Sequence, residues 1–182
     1  MTTRERILHA VLRVIGTDGV AGVTNRRVAR EAEVSLGSIT YHFASQHELL
    51  REAMLLFVAE ETARLSGVAE RHLDQPVTLA EAAALVERIA LHTRFGHEEI
   101  APLELYLQAG RDPGLRDAAA ECFAAYDRIA LTVLSGLGVP TPERLAGPVV
   151  ALVTGLQLRR LATGTAGASI ADAVTMVVRG AG

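Results

Sequence analysis

"VTNRRVAREAEVSLGSITYHF", Val23 to Phe43, carries the fold of this 182-residue chain. Its first part favours a helix: Thr24 stands at a capping position, and Val28, Ala29 and Ala32 recur on one face. Its last part is a weak helix. Gly37, Ser38, Ile39, Thr40 and Tyr41 all rank in the lower half of helix propensity. A short turn joins the two parts and ends at Ser35, a second capping residue. Two short helices at this spacing form a helix-turn-helix, whose second helix is held by its neighbours and keeps its surface for a partner. Val28, Ala29, Val34 and Ile39 are its expected small core. Ser35, Leu36, Ser38, Thr40, Tyr41 and His42 are expected outward, and Gly37 lets the backbone approach a phosphate or a base edge. Hydroxyl, phenol and imidazole groups suit phosphate contacts. Arg26 and Arg27 open the first helix, where free backbone N–H groups favour anions.

The flanks continue the helical pattern. Thr2 and Glu5 have capping-box spacing, followed by Ile7, Leu8, Val11, Leu12 and Ile15, with Gly19 as a stop. Ser45 and Glu48 repeat the capping box and open a long helix through Leu49, Leu50, Ala53, Met54, Phe57 and Val58. Further helical patterns cover about 78–95, 99–110, 113–136, 143–163 and 169–179, punctuated by Gly96, "GRDPG", "GLGVPTP" and "GTAGAS". Strand patterns are nearly absent. The fold class is all-α, with roughly nine helices.

Composition narrows the function. Apolar residues are 49% of the chain and aromatic ones 4%. No apolar run reaches the roughly 18 residues of a membrane span, and no secretory signal opens the chain. The single cysteine, Cys122, excludes an internal disulfide and a cysteine metal cluster. A reduced, cytoplasmic protein with no membrane partner is expected. Every basic residue is arginine. Residues 1–50 hold six arginines against five acids, whereas the whole chain has a net charge of −3. No phosphate-cradling glycine loop, nucleophile elbow or catalytic carboxylate pair is present, so no enzyme, catalytic residue or cofactor is expected. "GHEE" (96–99) lacks the second histidine of a metalloprotease, and His42 has no partner at ligand spacing, so no metal site is expected.

From about Ile7 to Leu50 the chain resembles the DNA-binding domain of TetR-family transcriptional regulators. The carriers are "VTNRRVAREAEVSLGSITYHF" and the "ASQHELL" that follows. "RDPGLRDA" and "GLQLRRLATG" resemble segments of that family's C-terminal domains. The resemblance implies that Thr24, Ser35, Gly37, Tyr41 and His42 contact the DNA backbone, and that Leu36, Ser38 and Thr40 face the major groove. Two residues depart from the pattern. Glu33 stands where the family usually has glycine; in a left-handed turn it costs about 1 kcal/mol relative to glycine. Gln46 stands at the position of a phosphate-contacting lysine.

The expected organisation is a DNA-binding domain over residues 1–45 and an effector-binding and dimerisation domain over 46–182. The segment around Val149, Leu152, Val153 and Leu156 is apolar on nearly every side, which calls for a partner surface. With Ile170, Val174 and Val177 it is expected to form a four-helix homodimer interface. Phe57, His92, Phe95, Glu104, Tyr106 and Tyr126 are the candidate effector contacts, with Glu104 and His92 as polar anchors. The expected protein is a ligand-responsive regulator, a repressor. It binds a near-palindromic double-stranded operator as a homodimer and is released by a small, mostly apolar effector of unknown identity. The alternative is a helical dimeric adaptor, or a small-molecule-processing protein, without DNA binding.

Overall fold

The chain enters its first helix through a reciprocal cap. The Glu5 N–H donates to the Thr2 hydroxyl (3.2 Å), and the Thr2 N–H donates to the Glu5 carboxylate (2.7 Å). In the computed structural model, which describes residues 1–73, 78–92, 97–165 and 167–180, the described residues are helical with no strand. The helices are α1 (Thr3–Asp18), α2 (Asn25–Ala32), α3 (Leu36–His42), α4 (Gln46–Leu73) and α5 (Leu79–His92). They continue with α6 (His97–Arg111), α7 (Pro113–Gly136), α8 (Pro142–Thr163) and α9 (Ile170–Gly180). A 3-10 turn at Val20–Gly22 follows α1. Side chains of residues 68–73, 89–92 and 97–99 are not described.

Contacts divide the chain into two compact units: Met1–Glu60 with Arg94–Cys122, and Glu61–Thr93 with Phe123–Gly182. The expected boundary after residue 45 does not follow this division, because α6 packs along α1 within the first unit. The cause lies in α1 itself. Ile7, Leu8, Ala10, Val11, Val14 and Ile15 are all fully or almost fully buried. They span too wide an arc for α2 alone to cover. Leu105 and Ala109 of α6, and Leu115 and Cys122 of α7, are buried in the same unit. Burying each large aliphatic side chain contributes about 1.5–3 kcal/mol.

In the second unit α9 packs against α5 and α8. Its core holds Ala83, Leu134, Leu145, Ala146, Val149, Ile170, Val174 and Val178. This corrects part of the expected dimer surface: Val149, Ile170 and Val174 are interior residues of a single chain. Leu152, Val153, Leu156 and Val177 are half-buried against the same core. Besides Glu143, Arg144, Arg159 and Thr163 toward its ends, α8 leaves exposed Pro148, Ala151, Gly155, Leu158 and Ala162. The latter recur every three or four positions and so form one stripe. On α9, Met176 is 74% exposed.

The turn between α2 and α3 sets the angle of the helix-turn-helix. Glu33 adopts a left-handed conformation there, with φ 54° and ψ 47°. The Val34 N–H returns to the Ala29 carbonyl (3.0 Å), which closes the end of α2. A side chain at positive φ is strained, so Glu33→Gly relieves about 1 kcal/mol. The expected result is a melting temperature higher by about 2–4 °C in a thermal unfolding scan. An unchanged or lower value would show that the glutamate is accommodated without strain.

Candidate nucleic-acid interface

α3 is too short and too weak in propensity to stand alone, and three local devices hold it. The Ser35 hydroxyl accepts from the Ser38 N–H (3.1 Å) and caps the helix. The Ser35 and Ser38 hydroxyls share a hydrogen bond (2.8 Å). The Thr40 hydroxyl donates to the Gly37 carbonyl (3.1 Å). Ile39 and Phe43 then anchor the inner face, 1% and 4% exposed. The outer face carries Ser35, Leu36, Gly37, Thr40 and Tyr41, all exposed, while Ser38 and His42 are half-buried. Tyr41 is 84% exposed, with its ring edge-on to His42 at 5.0 Å. A Cβ added at Gly37 would meet only the Ser35 hydroxyl, at 3.8 Å. Nothing among the described residues therefore requires glycine at that position.

α2 presents two flanks. Thr24 caps it by accepting from the Arg27 N–H (3.2 Å). Arg27, expected at the phosphates, is engaged within the protein: Nε bonds Asp18 (2.8 Å) and Nη1 bonds Glu31 (2.7 Å). Arg13 also donates to Glu31 (2.9 Å). These two guanidinium groups, Arg27 foremost, hold the Glu31 carboxyl below its usual range. Arg26 remains exposed. Gln46 is also turned inward, its amide donating to the Val23 carbonyl (2.7 Å) and tying the start of α4 to the segment before α2.

Two positioning contacts were not foreseen from the sequence. Arg6 donates to the carbonyls of Ala32 (2.8 Å) and Glu33 (3.1 Å), fixing the left-handed turn from α1. His47 pairs with Asp112 (2.9 Å), whose other oxygen accepts from the Gly114 N–H (3.0 Å). A side chain at Gly114 would run into the His47 ring. No local pattern signals either contact, because the partners lie 26 and 65 residues apart.

The candidate effector residues are dispersed. Phe57 and Tyr106 are half-buried in the first unit. Burial pushes the Cys122 thiol, in the same unit, up to about 11, leaving it protonated at neutral pH. Glu104 is engaged within the first unit. Its carboxylate accepts from the Val20 N–H (3.0 Å), capping the 3-10 turn from α6. Gly19 stands beside it at φ 73°, a conformation that strains any side chain, although an added Cβ would meet the same carboxylate only at 3.4 Å, an ordinary contact. Tyr126 is half-buried in the second unit, where Arg64 makes a two-pronged pair with Glu61 at 2.8 and 2.6 Å. Phe95 and the side chain of His92 lie outside the described residues. The second unit also holds a cleft of about 190 Å³ lined by Glu87, Leu156, Arg160 and residues 167–170. None of the expected effector residues lines it. Among the described residues no helix is long and apolar enough to cross a membrane, and no cluster of three or more potential ligands could hold a metal ion.

The geometry agrees with what the chain is similar to. Residues 7–53 match the family described as "Bacterial regulatory proteins, tetR family". Residues 77–180 match "Tetracyclin repressor-like, C-terminal domain". The HTH-type transcriptional regulator BetI of Rhizobium meliloti is 27% identical over 164 residues, 86% of this chain and 77% of that protein. The HTH-type transcriptional regulator PksA of Bacillus subtilis is 40% identical over 70 residues, 38% of this chain and 34% of that protein. Among solved structures, the multidrug binding protein EbrR in complex with imidazole is 32% identical. It superposes with a TM-score of 0.75 over 97% of this chain and 95% of that one. A TetR-family member from Streptomyces coelicolor A3 is 31% identical, with a TM-score of 0.76 over 97% of this chain and 98% of that one. The chain belongs to the TetR family of DNA-binding transcriptional regulators.

Proposed function

We propose that the protein is a ligand-responsive repressor that binds a near-palindromic operator as a homodimer and releases it when a small, mostly apolar molecule binds. The observation that carries the reading is α3: Ile39 and Phe43 are buried beneath a face on which Tyr41 is 84% and Leu36 47% exposed. A short helix gains nothing within its own chain from an exposed leucine and tyrosine, or from a glycine that no neighbour requires. A groove of DNA supplies a use for all three: an apolar contact for a thymine methyl, a phosphate donor and close backbone approach. EbrR has been seen in complex with ethidium, proflavin and malachite green as well as imidazole. Aromatic molecules of that kind are the effector class proposed for this chain.

The DNA contacts separate by chemistry. Tyr41→Phe removes one phosphate-facing hydroxyl and is expected to weaken binding to all duplexes alike. Ser38→Ala and Thr40→Ala are expected to change which operator variants are preferred, by about 1–3 kcal/mol per lost base contact. Competition binding against a randomised duplex library distinguishes these outcomes. A changed preference in Tyr41→Phe, with none in the other two, would show that α3 enters the groove by another face.

The homodimer is assigned to the exposed stripe of α8, at Pro148, Ala151, Gly155 and Leu158. Small residues let two helices approach closely, and a twofold contact presents the same stripe on both chains. A Cβ at Gly155 meets nothing within 4 Å in its own chain. Gly155→Arg is therefore expected to fold normally yet run at half the wild-type mass in light scattering. Wild-type protein that is monomeric at micromolar concentration would remove both the dimer and the palindrome.

Control follows from linkage. An effector weakens operator binding only through its different affinity for two arrangements of the protein, typically about 1–3 kcal/mol of coupling. A compound found by its elevation of the melting temperature is expected to lower DNA affinity by about 5–150-fold in a fluorescence anisotropy titration. Unchanged DNA affinity would make the protein a constitutive binder.

A further inference from the structure

Six arginines lie within residues 1–50, and the structure sorts them into two groups. Arg4 pairs with Glu52 at 2.6 Å. Arg6 holds the carbonyls of Ala32 and Glu33. Arg13 pairs with Glu31, and Arg27 with both Asp18 and Glu31. These four guanidinium groups have acceptors inside the protein. Arg26 and Arg30 are exposed, and neither side chain makes an ion pair or hydrogen bond among the described residues. They stand four residues apart on α2, so they lie on one face of that helix. Arg27 and Glu31, the flank held by Asp18 and Arg13, lie about 100° round the helix from them. The open cations therefore point away from α1, on a helix whose inner side packs against α3. One carboxylate opposes them on the same face: Glu33, exposed at the turn three residues beyond Arg30.

We infer that Arg26 and Arg30 carry the electrostatic part of DNA binding, each neutralising a backbone phosphate beside the groove that α3 enters. The other four arginines of the region hold the fold. Arg30 is thus a DNA-contact residue that the sequence pattern did not single out. The inference rests on the DNA-binding reading and adds a number to it. Each phosphate neutralised on duplex DNA lowers log K by about 0.9 per unit of log salt. Arg26 and Arg30 on each chain of a dimer give a slope of about −3.6, shallow for a DNA-binding protein. Glu33 reduces the attraction without changing the number of phosphates met.

The test uses full-length protein and a mixed-sequence duplex spanning about three helical turns, titrated by fluorescence anisotropy between about 50 and 200 mM salt. Arg30→Gln and Arg26→Gln are each expected to make the slope shallower by about 1.8, with the melting temperature unchanged. Arg30→Lys keeps the charge and is expected to keep the slope. Arg13→Gln breaks an internal pair and is expected to leave the slope unchanged. An unaltered slope in Arg30→Gln overturns the inference, and so does an equal loss of slope in Arg13→Gln. Wild-type protein with no salt-dependent DNA binding overturns the DNA-binding reading along with it.

Discussion

The arrangement at the start of the chain depends on how the end of α2 is held. α3 has neither the length nor the propensity to direct itself, and the only covalent link to α2 runs through a strained residue, Glu33 at φ 54°. A left-handed non-glycine residue persists only where its surroundings over-determine it. Here Arg6 supplies that determination, with one guanidinium nitrogen bonding the Ala32 and Glu33 carbonyls. These carbonyls end a helix and have no partner within it. A hydrogen bond from a charged donor contributes about 1.5–3 kcal/mol, more than the roughly 1 kcal/mol that glutamate costs over glycine in this conformation. The turn is thus fixed from α1, and α3 inherits its direction from α1 through the turn.

A second set of bonds ties this assembly to α6 and to the corner before α7. Glu104 caps the 3-10 turn at Val20, and Asp112 holds His47 at the first turn of α4. Both carboxylates belong to the first compact unit, as do the residues they grip. α6 and the corner that follows it are thus tied to the N-terminal segment by two polar contacts, in addition to the packing of α6 along α1. That makes α6 part of the unit that holds α3.

The sequence made the local features legible because local chemistry determines them. Thr2, Thr24, Ser35 and Ser45 all cap helices as their spacing indicates. Gly19 ends α1 at positive φ, and the left-handed Glu33 was anticipated as the cost of a missing glycine. Long-range polar contacts left no such trace. Glu104 sits 84 residues from Val20, and an acidic residue amid apolar ones on a helix fits a pocket anchor and a distant cap equally well. Arg26 and Arg27 are neighbours of one chemical type, yet a 100° step around α2 sends one to solvent and the other to Asp18 and Glu31. α8 misled for another reason. A helix apolar on all sides announces that every side has a neighbour, but periodicity does not say which side belongs to its own core. Val149 went to the core, while the smaller Ala151 and Gly155 took the outside.

The absence of lysine has a structural counterpart. Lysine carries three donors on one nitrogen, whereas arginine spreads five across a rigid plane. Several arginines here use that spread. Arg27 reaches Asp18 through Nε and Glu31 through Nη1. Arg13 takes the Glu31 carboxylate with Nε and the Glu31 carbonyl with Nη2. Arg64 grips both oxygens of Glu61, and Arg116 reaches the carbonyls of Ala109 and Gly110 at the end of α6. In each case the acceptors are separate atoms met by separate nitrogens at fixed spacing. A lysine ammonium could approach one acceptor well and the other only by rotating its stem. Surface ion pairs are individually weak, with a median of about 0–1 kcal/mol, so these contacts add little to stability one by one. Their contribution is direction. A fork fixed at two points orients the helix that bears it, and in the N-terminal unit the orientation being fixed is that of the helices around the exposed face of α3.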